Sequence, residues 1–217
     1  MERFSQGEVP QVVVQAFVDL ICLRDRLGED VIRLWDDVFE FMKELRPDRR
    51  MKLDRRQRLM RAAVLGAAAA FEALTNFLSE QICESGELNG TKLSEADIDF
   101  LREKRKVLEN GCIKEKRQIY PSRDRFLLLL RLLSGGGELP GSVRAEVGRS
   151  FEIRDKLVHP KPQSSIDLLA SDVGADAVVG FLTGGLFLAR AWAGQGERAK
   201  SPRVPCGVVI EGVKIVA

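Results

Sequence analysis

Histidine occurs once in this 217-residue chain, as His159, and tyrosine once, as Tyr120. The four cysteines, Cys22, Cys83, Cys112 and Cys206, lie far apart, with no Cys-x-x-Cys pair and no histidine beside them. That scatter argues against a zinc site and against a disulfide framework, and it suits a reducing, cytoplasmic setting. An excess of one charge is also missing. Thirty-four basic residues face 32 acidic ones, for a formal net charge of +2. Bulk electrostatics therefore do not announce a nucleic-acid protein, and any such surface must come from local clustering. There is no Ser-His-Asp order, metal-ligand cluster or phosphate-cradling glycine loop, so neither a metal nor a cofactor is expected. Met1-Glu2-Arg3-Phe4 opens without a basic stretch leading into an apolar one, and no secretory or transit segment is expected. No internal repeat and no low-complexity tract is present.

Long apolar runs are scarce as well. The most membrane-like stretch, residues 173–193, has an uninterrupted apolar or small-residue core only from Ala177 to Ala189. Thirteen such residues are too few to span a bilayer comfortably. Gly180, Thr183, Gly184 and Gly185 would let another helix approach closely, so the segment reads as a buried helix of a bundle or of a dimer interface. A membrane-associated helix is the weakest of the alternatives.

What the chain does carry is helical periodicity almost throughout. Over residues 9–45, Val13, Phe17, Leu20, Leu27, Val31, Leu34, Val38, Phe41 and Leu45 recur at three- and four-residue steps, with a break near Gly28. A second long helix starts near Asp54 and runs through Val64, Ala67, Phe71, Leu74, Leu78 and Ile82. Residues 84–91 read as a loop, and Ser94 caps a helix expected to end near Gly111. A leucine-rich helix over 125–134 is stopped by Gly135-Gly136-Gly137. From Pro140, Val143, Val147, Phe151, Arg154 and Val158 fall on roughly one stripe, ended by Pro160 and Pro162. Residues 204–217 read as a hairpin or extended tail. The expectation is an all-α helical bundle over 51–195, an N-terminal helical extension over 1–50 packed on it, and a C-terminal tail over 196–217.

The last helix of that series ends in Arg154-Asp155-Lys156-Leu157-Val158-His159. An imidazole is the side chain best suited to exchange protons near neutral pH. Asp155 and His159 are four apart and share a helical face, so the carboxylate is placed to hold the imidazole. Pro160 puts His159 at the helix terminus, within reach of the long Arg154 side chain. Such a pair suits cleavage of an RNA phosphodiester by its own 2′-hydroxyl: histidine moves a proton, and the guanidinium binds the non-bridging oxygens. The reaction needs a base and an acid, which one histidine supplies only if two copies of the motif meet across a two-fold dimer. The bland alternative is a histidine that merely complements a helix C-terminus.

The hexapeptide resembles the signature of the HEPN superfamily (higher eukaryotes and prokaryotes nucleotide-binding domain): an arginine, a polar residue, and a histidine four to six positions after the arginine. The polar residue is most often Asn there and is Asp155 here. Upstream, Ala70-Phe71-Glu72-Ala73-Leu74-Thr75-Asn76-Phe77-Leu78 resembles that family's earlier core helix. Together the two segments carry a resemblance over roughly residues 55–193. It implies a HEPN-like all-α bundle, usually a homodimer, and for motif-bearing members a metal-independent endoribonuclease of toxin–antitoxin, phage-defence or RNA-processing systems. By that resemblance Arg154 and His159 are catalytic, with Asp155, Glu72 and Asn76 supporting them. Some relatives carry a tyrosine two residues after the histidine that a partner nucleotidyltransferase modifies; the residue here is Lys161.

Two basic clusters bear on RNA. One runs from Arg46 through Arg55, Arg58 and Arg61, and the other spans Arg102 to Arg125. Arg55, Arg58 and Lys161 are the candidate RNA contacts. RNA is thus the expected partner, beside a second copy of the chain and an antitoxin or nucleotidyltransferase, with no membrane. The alternative is a non-catalytic HEPN-like module that binds a nucleotide or a protein, its charge runs being ordinary solvated faces.

Overall fold

The computed structural model describes residues 14–15, 18–20, 27–45, 53–88, 91–134, 141–159 and 173–197, and these are predominantly helical. The chain breaks where the periodicity places a break. Gly28 takes φ 77° in front of α1 (Glu29–Glu44), a backbone conformation that favours glycine. Glu29 and Asp30 in the first turn and Lys43 in the last complement the helix dipole. Val31, Trp35, Val38 and Met42 turn inward from α1 into the same core that the later helices share.

The long α2 (Leu53–Ser85) has 33 residues, which at the α-helical rise is about 50 Å. It packs along α1 and against every later helix of the bundle. A short antiparallel pairing follows, β1 (Glu87–Leu88) with β2 (Thr91–Lys92), in the stretch expected to be a loop. Ser94 then caps α3 (Glu95–Leu101), its Oγ accepting from the Asp97 amide at 3.1 Å.

Past this point the expected helix to Gly111 is not what forms. The helix stops at Leu101, and residues 104–117 fold as a hairpin of β3 (Lys104–Glu109) and β4 (Cys112–Arg117), in register from Lys104↔Arg117 to Glu109↔Cys112. The turn explains the difference. Asn110 and Gly111 take φ 50° and 79°, the left-handed pair that a two-residue hairpin turn requires, and Asn-Gly is the dipeptide that adopts it most readily.

Three helices complete the bundle: α4 (Ser122–Leu133), α5 (Gly141–Val158) and α6 (Val173–Glu197). Their shared centre is aromatic. Phe71 of α2 lies 5.1 Å from Phe126 of α4, 5.7 Å from Phe151 of α5 and 5.5 Å from Phe181 of α6, and Phe151 meets Phe181 edge-on at 5.0 Å. Four helices thus each place one ring in a single cluster, in the tilted and edge-to-face arrangements that aromatic quadrupoles favour. Val158, expected on the inward stripe of α5, is 46% exposed, and Leu157 takes the buried place instead. The tail beyond Glu197 lies outside the described residues.

The glycines of α6 are used as the sequence reading expects. A Cβ at Gly180 would fall on the Ser150 hydroxyl and 3.0 Å from the Glu146 carbonyl oxygen; one at Gly184 would fall on the Val147 side chain and 3.1 Å from the Phe71 ring. Both α6 and α2 are long and apolar enough to cross a membrane by length and composition, and about half of the most apolar window in each is buried, 50% and 56%. The glycine side of α6 is covered by α5 at Gly180 and Gly184 and by α1 and α2 at Gly185.

Gly180→Ala is expected to lower stability by about 1–3 kcal/mol, because the backbone carbonyl it meets cannot rotate away as a side chain would. Urea denaturation should show a lower midpoint at unchanged slope; an unchanged midpoint would mean α5 and α6 are not in this close contact. Cysteine chemistry gives a second check. Burial pushes the Cys83 thiol up, partly offset by the Arg102 charge, while Cys112 is exposed on the hairpin. Alkylation at neutral pH followed by peptide mass mapping should label Cys112 well before Cys83.

Candidate active site

Burying Phe71 and Phe151 fixes what surrounds them. Glu72 follows Phe71 on α2, and Arg154 stands one turn beyond Phe151 on α5, so their polar ends emerge together at the rim of the aromatic cluster. Arg154 Nη2 donates to Glu72 Oε1 at 2.5 Å, across 82 residues of sequence. Ser122 Oγ, in the first turn of α4, donates to the same oxygen at 3.1 Å. One carboxylate oxygen therefore joins α2, α4 and α5. Arg154 Nη1 donates to Asp155 Oδ1 at 2.8 Å, and its Cζ lies 5.5 Å from the centre of the Phe151 ring. The Arg154 and Glu72 side chains are 28% and 33% exposed, so the pair is partly open to solvent.

Asn76, one turn along α2, does not touch the motif. Its Oδ1 accepts from Nη1 of the buried Arg125 at 2.6 Å, and Arg125 Nη2 stands 3.5 Å from Glu103 Oε1. Glu103 also pairs with Arg117 at 3.2 Å. Asn76 thus anchors α4 and the root of the hairpin, so any support it gives Arg154 is indirect.

His159 stands in the open just past α5. Its amide donates to the Asp155 carbonyl at 2.9 Å, which carries the helical register one residue beyond Val158. The imidazole makes no hydrogen bond among the described residues. Here the sequence expectation needs correcting, because the Asp155 carboxylate is on Arg154 and not on the histidine. A permanently charged guanidinium one residue away is a stronger partner for a carboxylate than an imidazole one turn away. The end of α5 is secured by a residue that the spacing did not mark for this role: Arg61 Nη2 donates to the Leu157 carbonyl at 2.8 Å, satisfying an acceptor the last helical turn leaves open.

The RNA-contact candidates divide. Arg55 is exposed and 3.5 Å from Glu44, Arg58 is exposed one turn before Arg61, and Lys161 lies outside the described residues. The second basic cluster is largely matched on its own hairpin. Lys104 meets Glu115 at 2.7 Å, Lys106 meets Glu95 at 3.1 Å, and Lys114 and Lys116 both reach Glu109. Among the described residues no group of three His, Cys, Asp or Glu is placed to hold a metal ion.

Arg154 and Glu72 should show a coupling energy of about 0.5–1 kcal/mol in a double-mutant cycle of Arg154→Ala and Glu72→Ala, read by chemical denaturation. Additive losses would mean that the pair does not form in solution. No protein-family model, no curated protein and no solved structure matches this chain, so the convergence of Glu72, Ser122, Asp155 and Arg154, with an exposed His159 at the end of the same helix α5, carries the functional reading by itself.

Proposed function

We propose that this chain is a metal-independent endoribonuclease of the HEPN type, a HEPN-like bundle acting as a homodimer on RNA in a toxin–antitoxin, phage-defence or RNA-processing role. The observation that supports it best is the Arg154–Glu72 pair. The two segments whose residues resemble that family, 82 positions apart, meet at 2.5 Å, and the only histidine stands five residues after Arg154, open to solvent. In this reading the 2′-oxygen of a ribose attacks the neighbouring phosphorus. A P–O2′ bond forms, the P–O5′ bond breaks, one His159 takes the 2′-hydroxyl proton, and the His159 of the second copy protonates the departing 5′-oxygen. Arg154 binds the non-bridging oxygens as charge builds on them, its planar guanidinium held at a fixed angle by Glu72. Ser122 in turn holds Glu72. An antitoxin or a nucleotidyltransferase is the proposed regulatory partner.

A second reading, a non-catalytic helical module for a nucleotide or protein, draws on one specific fact. Nη1 and Nη2 of Arg154 already have carboxylate partners, as a structural strut between α2 and α5 would. The two readings part on cleavage. With single-stranded RNA as substrate, the enzyme is expected to leave 2′,3′-cyclic phosphate ends, to work in EDTA, and to spare substrate with 2′-deoxyribose at the cleaved position. His159→Ala should lose about 10²–10⁴-fold in rate with an unchanged helical circular dichroism spectrum, since the ring supports no packing. If wild type and His159→Ala treat RNA alike, the catalytic reading is wrong and the strut reading stands.

A further inference from the structure

The first turn of α4 and residues 141–152 of α5 flank a solvent-open cleft of about 470 Å³, walled by Arg123, Arg144, Ala145, Gly148, Arg149 and Glu152. Three arginines against one carboxylate is an uneven balance in a chain whose charges are otherwise matched. None of the three forms an ion pair among the described residues, whereas Arg117, Arg131 and Arg154 on the neighbouring elements all do. Helix stability does not explain them either. Arg123 and Arg144 sit in the opening turns of their helices, where the macrodipole disfavours a cation. Gly148 shapes the floor. A Cβ there would stand 3.3 Å from Nη2 and 3.4 Å from Cζ of Arg123, so the missing side chain lets that guanidinium lie close against α5.

One face of α5 runs from the cleft to the helix end that carries His159. Positions 144, 145, 148, 152, 155, 156 and 159 follow one another at helical steps and share one face of α5. Carried on from Gly148, that face reaches Asp155 and then His159, roughly 16 Å along the helix from Gly148. A single strand laid along it with its cleaved bond at His159 would bring a phosphate a few nucleotides away over the arginines.

We infer that this cleft is a phosphate subsite for the single-stranded RNA flanking the cleaved bond, with Arg123, Arg144 and Arg149 as its ligands. The inference rests on the ribonuclease reading. Guanidinium forks match phosphate oxygens and keep their charge at any working pH. Glu152 would be repelled by a phosphate, and suits a base N–H donor such as uracil N3–H, which a single strand presents beside its phosphates.

The test uses a fluorescent 2′-O-methyl oligouridylate, which binds but cannot be cleaved, with wild type, the double variant Arg144→Ala/Arg149→Ala and His159→Ala. Both arginines are exposed, so circular dichroism should be unchanged. The double variant is expected to bind about tenfold more weakly, and the slope of log affinity against log salt should shrink by about 1.4, as loss of two phosphate contacts to a single strand predicts. His159→Ala should bind as wild type does. On cleavable oligouridylate the double variant should raise KM and leave kcat nearly unchanged. Unchanged affinity in the double variant overturns the subsite even if the wild type cleaves RNA. Arginine-dependent binding without cleavage by the wild type upholds the cleft as an RNA site and overturns the ribonuclease reading. Displacement of the probe by polyglutamate as readily as by unlabelled oligouridylate overturns the RNA assignment in favour of an acidic partner.

Discussion

The polar residues of the candidate site are aimed by the four-ring contact of Phe71, Phe126, Phe151 and Phe181. Each ring comes from a different helix, and three of the four are fully buried. Rings of this size leave few alternative packings, so the rotation of α2, α4, α5 and α6 about their own axes is largely set once the cluster closes. The residues beside the rings then have no choice of direction. Glu72 follows Phe71, Arg125 precedes Phe126, and Arg154 stands one turn from Phe151. The polar band of Arg154–Glu72–Ser122 and Asn76–Arg125–Glu103 is the rim of that aromatic centre. It needs no separate device to assemble it.

This explains how much could be read from the sequence and where reading stopped. Glu72 and Asn76 share a helical face by spacing alone, and the break at Gly28 and the Ser94 cap follow from local chemistry. The hairpin was hidden because Lys, Arg, Leu and Glu over 104–109 are good helix formers, which made Asn110-Gly111 look like a helix stop. The clue available was that the turn dipeptide has a six-residue segment on either side. Asp155 was misassigned for a different reason. Spacing finds partners one turn apart, but it does not weigh them against an adjacent permanent charge. Arg61 and Ser122 belong to neither motif and reach the site only through tertiary contact, which no periodicity encodes.

Charge is distributed with the same economy. The hairpin holds six basic residues and neutralises most of them locally, so the basic run that stands out in the sequence presents little free charge to a polyanion. Hydrogen bonding from Lys104, and then its charge, hold the Glu115 carboxyl below its ordinary range, as a matched pair should. A different group of arginines without ion pairs, Arg123, Arg144 and Arg149, is dispersed in sequence and meets only where α4 comes against α5. Counting basic residues along the chain thus points to one surface, and pairing them in space points to another.

The two arginine contacts between α2 and α5 run in opposite senses. Arg154 reaches from α5 to Glu72, and Arg61 reaches from α2 to Leu157. Their anchor points are eleven residues apart on α2, roughly 16 Å, but only three apart on α5, roughly 4.5 Å. They act like opposed guy ropes: sliding α5 along α2 in either direction tightens one and slackens the other. The end of α5 that carries His159 is therefore braced against sliding along α2 in both directions.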